Sequence, residues 1–234
     1  MDWADEGTVI ARRPHGETAM LVEVMTRAHG RHAGVVPGGQ SSKRAAMLQP
    51  GSRLALRWRA RLSDHLGQFT AEPVRSRAHL LGDPLALAGL NAVCALLSYF
   101  LAERDPHPGL HDATEALLDG NDWGAAYVGW ECDLLAELGY GLDLSACAVT
   151  GARDGLVFVS PRSGRAVSRA GAGDWADRLL PLPPGLSDGR LDASDLPAAL
   201  SLTGHFLTRA ASDLGDRPLP AARGRLVDRL SRRG

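Results

Sequence analysis

The stretch Arg53-Leu54-Ala55-Leu56-Arg57-Trp58-Arg59-Ala60-Arg61-Leu62 decides how the first third of the chain is read. Successive side chains of a strand point to opposite faces. Leu54, Leu56, Trp58, Ala60 and Leu62 therefore form one row, and Arg53, Ala55, Arg57, Arg59 and Arg61 the other. The expected strand buries its apolar row and presents its arginines in a line with steps of about 6–7 Å. That spacing is comparable to the separation of phosphates along an extended single strand. Pro50-Gly51 opens the segment, and Asp64-His65-Leu66-Gly67 turns the chain into a further strand, Gln68–Val74.

Upstream the texture is the same. Thr8–Arg12 and Thr18–Met25 are apolar, β-rich runs separated by Arg13-Pro14-His15-Gly16. Thr26–Gly30 is a turn, and Arg31–Val36 is a third strand broken by Pro37-Gly38-Gly39. A polar loop, Gln40-Ser41-Ser42-Lys43-Arg44, completes the connection to the arginine strand. Five short strands closed by turns fit a small Greek-key barrel such as an OB-fold. An SH3-like barrel is the alternative.

After Gly82-Asp83-Pro84 the period changes to that of helices. Leu85, Leu87, Leu90, Val93, Cys94, Leu96, Leu97 and Leu101 share a helical face, with Asp83 as N-cap and Pro84 at the first position. Further helices are expected over His107–Leu118, Gly124–Leu138, Asp195–Leu214 and Ala221–Arg232. Residues 142–170 read as an irregular, hairpin-like insert. The predicted architecture is α+β: a barrel domain over residues 1–80 and a mainly helical domain over 81–234.

Charge is divided unequally between these parts. Residues 1–80 carry twelve Lys and Arg against seven Asp and Glu, whereas residues 81–234 carry fourteen against twenty. A basic first third on an acidic remainder points to a polyanionic partner. The candidate phosphate contacts are Arg31, Lys43, Arg44, Arg57, Arg59, Arg61 and Arg75. Aromatic residues make up only 5% of the chain and Trp58 lies in the buried row, so base stacking is a minor contribution that falls to Phe69 or Trp3. Binding is expected to follow charge rather than base sequence.

No catalytic pattern emerges. GxSxG, Walker A and GxGxxG motifs are absent, and Gly38–Arg44 lacks the helix-opening Gly-Lys-Ser/Thr of a phosphate cradle. His107 and His111 are four apart, but Pro108 and Gly109 lie between them and the Glu of HExxH is missing. The histidines are read as structural or solvent-facing. Cys94, Cys132 and Cys147 are widely spaced, without CxxC, and Cys94 and Cys132 read as small buried hydrophobes. The opening MDWADEGTVIARR lacks a signal-peptide layout, and no stretch is apolar enough to span a membrane, so a cytoplasmic protein is expected.

The residues also resemble a family. Asp5-Glu6-Gly7-Thr8-Val9-Ile10, His15-Gly16-Glu17-Thr18, Thr26–Gly30, Ser42-Lys43-Arg44 and Leu48-Gln49-Pro50 occur in order in the first part. Trp130-Glu131, Leu134-Leu135, Leu138-Gly139-Tyr140-Gly141, Leu144, Cys147, Gly215, Arg217-Pro218-Leu219 and Arg223 follow in the second. In this order and spacing they resemble RecO, the bacterial recombination mediators, over nearly the whole chain. The resemblance implies an OB-fold with a helical domain, binding of single- and double-stranded DNA, and strand annealing. It further implies contact with the acidic C-terminal tail of the single-stranded-DNA-binding protein, and loading of RecA together with RecR. Residues 209–234 hold seven arginines against three aspartates, and Arg217 and Arg223 match the family's basic segment best as tail contacts.

Two departures from the family stand out. Many relatives carry four cysteines as a zinc site in the insert. Here only Cys147 remains, Thr150 stands at the CxxC position, and Ser160, Ser163 and Ser168 are the small polar candidates for the distal pair. One thiolate with hydroxyls is a poor zinc site, so no metal and no cofactor are expected. Gly129 stands before Trp130-Glu131 where relatives often have Arg. The competing readings are a metal-dependent nucleic-acid enzyme whose carboxylates or histidines converge only in three dimensions, and a basic module that meets an acidic protein or a lipid surface.

Overall fold

A computed structural model describes residues 1–62, 65–120, 122–215 and 217–232. Asp64 of the expected 64–67 turn lies outside them. The chain divides into two compact units, residues 1–121 and 122–234. The change from strand to helix falls between Arg75 and Pro84, so the first two long helices group with the barrel.

Strands β1 (Asp2–His15), β2 (Ala19–Thr26), β3 (Gly30–Val36), β4 (Arg53–Arg59) and β5 (Gly67–Arg75) close into a barrel of order β1-β2-β3-β5-β4. This OB-like order sets aside the SH3-like alternative. The first strand is longer than its apolar run because it serves two neighbours. Residues 2–8 pair with β4 and residues 7–15 with β2, and an irregularity between Val9 and Ala11 bends the strand from one to the other. Closure rests on a short parallel pairing, Gly34 with Gly67 and Val35 with Gln68. Both glycines are required there. A Cβ on Gly34 would lie 2.5 Å from the Phe69 ring, and one on Gly67 would lie 2.4 Å from the Trp58 indole. The largest core side chains thus fill the space that other residues would need at the seam. Val9, Val22, Val24, Leu48, Leu54, Leu56, Trp58 and Phe69 form the barrel core, and each large apolar side chain buried this fully contributes roughly 1.5–3 kcal/mol.

Two local expectations are corrected. The polar loop after β3 is in part a short helix, α1 (Ser42–Met47), followed by the fully buried Leu48. The alternation of the arginine strand stops at Arg59, with Arg61 beyond the strand and Leu62 52% exposed. The reason is the ladder. Arg59 pairs with Asp2 and Gln68, near the ends of both neighbouring strands, and among the described residues only Met1, which exchanges backbone hydrogen bonds with Ala60, extends the ladder past it.

Helices α2 (Pro84–Phe100) and α3 (Pro108–Asp119) complete the first unit. The Asp83 carboxylate accepts from the Leu85 N–H at 2.7 Å, as an N-cap should. In the second unit α4 (Ala125–Glu137) leads into the insert. There β6 (Leu156–Val159) and β7 (Ala166–Ser168) form a hairpin, followed by α5 (Arg169–Ala172) and by β8 (Leu180–Pro181), which pairs with β6. Helices α6 (Leu196–Asp213) and α7 (Ala221–Ser231) end the chain. Among the described residues no helix is long and apolar enough to cross a membrane.

Candidate nucleic-acid interface

Strand β4 lies between β1 and β5, so each outward arginine has a neighbour on both sides. Arg57 is flanked by Ala4 and Thr70, and Arg59 by Asp2 and Gln68. Both are exposed, and among the described residues no carboxylate forms an ion pair with either. Helix α1 adds Lys43 and Arg44, also exposed, with the Arg44 guanidinium donating to the Pro37 carbonyl. Thr70 joins the two groups. It borders a hollow of about 240 Å³ shared with Arg44, Val36 and Met47, and a second hollow shared with Arg57, Ala4 and Glu72. Lys43, Arg44, Arg57 and Arg59 therefore form a basic strip around residues 68–70 of β5. Arg61, just past the strand end, is exposed as well.

The other candidate cations are matched by acids. Arg31 is mostly buried, donating to Glu23 at 2.8 Å and to the Leu101 carbonyl at 3.0 Å. Arg75 pairs with Asp119. Arg53, at the far end of the arginine row, pairs with Glu6 at 2.8 Å and with Glu115 at 3.4 Å. The expected line of four is thus a free pair at one end and a neutralised arginine at the other. Ala55 stands between them, flanked by Glu6 and Glu72.

Arg77 carries no functional signal in the sequence, yet its side chain is fully buried. It donates to Thr8, to the Gly51 carbonyl, to Glu115 at 3.0 Å and to Asp119 at 2.7 Å, and so ties α3 to the barrel. Burial works against the Asp119 carboxylate, but the Arg77 hydrogen bond and the Arg77 and Arg75 charges outweigh it and hold its pKa below the usual range. Arg13 lies outside the apolar run that ends at Arg12 and is likewise unmarked in the sequence. β1 continues to His15 and leaves Arg13 exposed on the barrel.

The aromatic candidates are corrected. Phe69 is 2% exposed inside the barrel. Trp3 is half-buried and stacks on His29 with centroids 4.1 Å apart.

In the second unit Arg217 is exposed, whereas Arg223 is not. Arg223 donates Nε to Glu131 Oε1 at 2.7 Å and NH2 to Glu131 Oε2 at 2.9 Å, with a further bond to the Leu200 carbonyl. The expected tail contact at Arg223 is therefore a buried strut joining α4, α6 and α7. The exposed basic residues of the last helix are Arg225 and Arg229, with Arg232 exposed at its C-cap. Gly129 lies on an exposed face of α4, and a Cβ there would meet nothing within 4 Å.

The residues of the insert do not fit a zinc ion. Around the buried Cys147 sulfur stand donors rather than ligands: the Ser168 N–H at 3.2 Å, the Ser168 hydroxyl at 3.3 Å and the Thr150 N–H at 3.4 Å. A cation needs lone pairs aimed inward. Hydrogen bonds from Ser168, then from Thr150, lower the Cys147 pKa to about 6. Ser160 and Ser163 bond to each other in the β6–β7 turn and not to Cys147. Among the described residues no three His, Cys, Asp or Glu side chains converge as a metal-binding group.

Residues 1–77 match the family described as "Recombination protein O N terminal", and residues 81–215 match "Recombination protein O C terminal". The seam between the two lies at the change from strand to helix. The DNA repair protein RecO of Paracoccus denitrificans is 58% identical over 236 residues, covering 99% of this chain and 97% of that protein. The DNA repair protein RecO of Roseobacter denitrificans is 58% identical over 241 residues, covering all of both. That of Cereibacter sphaeroides ATCC 17025 is 54% identical over 236 residues, covering 99% of each. With a closed OB-like barrel followed by helices, and with both halves matched in order, the chain belongs to the RecO family.

Proposed function

We propose that this protein is a DNA repair and recombination mediator that acts as a scaffold and turns nothing over. It binds single- and double-stranded DNA, promotes annealing, and with RecR helps to load RecA. The observation that carries the DNA-binding part is the basic strip of Lys43, Arg44, Arg57 and Arg59, which no acid matches among the described residues. Four flexible cations on one face suit a phosphate backbone. The work is done in the cytoplasm, where the DNA is. The acidic tail of the single-stranded-DNA-binding protein is met by Arg217 and the exposed arginines of α7, with Arg223 holding the helices behind them.

The test is DNA affinity against salt for the wild type and for Arg57→Ala/Arg59→Ala. A single strand releases about 0.7 counterion per phosphate neutralised. The double variant should therefore bind more weakly and show a slope smaller by about 1.4. Unchanged affinity and slope would remove the strip from the DNA interface.

A further inference from the structure

The misfit of the insert to zinc has a defined geometry. Cys147 and Thr150 are three residues apart at the start of one turn, and Ser168 and Gly171 are three apart at the start of another. The two turns face each other across one sulfur. Thr150 contributes its N–H to Cys147 Sγ at 3.4 Å, and Ser168 contributes both its N–H and its hydroxyl. Gly171 donates its own N–H to the Ser168 hydroxyl at 3.1 Å. A Cβ built on Gly171 would lie 2.8 Å from Cys147 Sγ and 3.2 Å from Ser168 Oγ. Four positions in two x-x-spaced pairs thus converge on a single point, which is how two opposed turns hold a tetrahedral metal.

We infer that Cys147, Thr150, Ser168 and Gly171 are the four corners of a two-turn metal cradle that this chain closes without metal, the Cys147 sulfur and Ser168 hydroxyl pinning the turns together. Gly171 takes part by its lack of a side chain, since a Cβ would crowd the sulfur that fills the centre. Val167 and Ala172 pack against Cys147 and complete a small apolar core that does the holding a metal would do. The sulfur is a weak acceptor, but here it gathers three donors, two of them from the buried Ser168, which would otherwise lack partners away from water.

Two sets of measurements test this. The full-length wild type should purify without stoichiometric zinc, and a chelator should not move its melting temperature. Cys147→Ala should melt several degrees lower, while Ser160→Ala, in the neighbouring turn, should not. The variant Thr150→Cys/Ser168→Cys/Gly171→Cys supplies four thiolates, with the Cys147 side chain withdrawing to make room. It should take up one cobalt(II) per chain with the ligand-field absorption of a tetrahedral thiolate site, and metal should raise its melting temperature. One zinc per wild-type chain, lost in Cys147→Ala, would overturn the proposal. So would a folded triple variant without the cobalt spectrum. If the triple variant does not fold with or without metal, the Cys147→Ala arm decides: an unchanged melting temperature removes the pin.

Discussion

Arg223 and Glu131 form a buried bidentate ion pair, Nε to Oε1 at 2.7 Å and NH2 to Oε2 at 2.9 Å, and the Thr203 hydroxyl donates to the same carboxylate at 2.5 Å. Three helices meet on these groups. Removing one member of such a pair leaves an unmatched buried charge and costs roughly 3–5 kcal/mol. Arg223→Ala should therefore lower the urea midpoint of unfolding strongly, and Glu131→Ala should do the same. Arg223→Lys keeps the charge but loses the fork, and should fall between. Below the unfolding transition, Arg223→Ala should bind an acidic, Phe-ending peptide as the wild type does. Weaker peptide binding by a fully folded variant would return Arg223 to the partner surface.

The barrel arginines separate by their partners, and so should their phenotypes. Lys43→Ala and Arg44→Ala should reduce DNA affinity and salt slope with little effect on stability, because exposed cations without an acidic partner contribute little to folding. Arg77→Ala should do the reverse. It strips Glu115 and Asp119 of a fully buried partner and should cost roughly 3–5 kcal/mol. Salt-dependent DNA binding and urea denaturation on the same preparations separate the two classes. A steep loss of DNA affinity in a fully folded Arg77→Ala would contradict this division.

This division marks the limit of what the sequence could disclose. The period-two row over 53–62 and the turn residues around it are local signals, and they lead to the barrel directly. Which arginine of that row is free depends on Glu6 in β1 and Glu115 in α3, residues far away in the chain. The same holds for Arg223, whose basic neighbourhood suggests a partner site until Glu131, 92 positions earlier, is seen beneath it. The end of the arginine row at Arg59 is set by where β1 and β5 stop, not by β4 itself. Cys147 and Thr150 could be paired by spacing, but Gly171 offers no chemical signal. Its role is visible only as a distance.

Gly129 offers a gain-of-function prediction. It is exposed, in mid-helix, with open space where a side chain would project. Gly129→Arg should stabilise the helix by up to about 1 kcal/mol through propensity alone. It also adds a cation to this exposed helix face, so affinity for an acidic, Phe-ending peptide should rise, and the gain should shrink with added salt. A stabilised variant with unchanged peptide affinity would place the tail site elsewhere.

The last prediction concerns acid. His32 is 4% exposed in the barrel, with Trp58 and Trp3 at 4.8 and 5.0 Å, and neither ring nitrogen has a hydrogen-bond partner among the described residues. Burial, then the charges of Arg104 and His29, lower its pKa from 6.5 to about 4. As pH falls below 6.5, the unfolded chain takes a proton at this position and the folded chain does not. The contribution to stability is therefore complete above pH 6.5 and is lost progressively towards pH 4, with a slope of at most about 1.4 kcal/mol per pH unit. His32→Phe keeps the ring contacts and removes the titration. Urea unfolding at pH 7.5, 6 and 5 should show the variant losing less stability than the wild type. Equal losses would mean that His32 is protonated in the folded barrel and that the aromatic cluster opens to admit water.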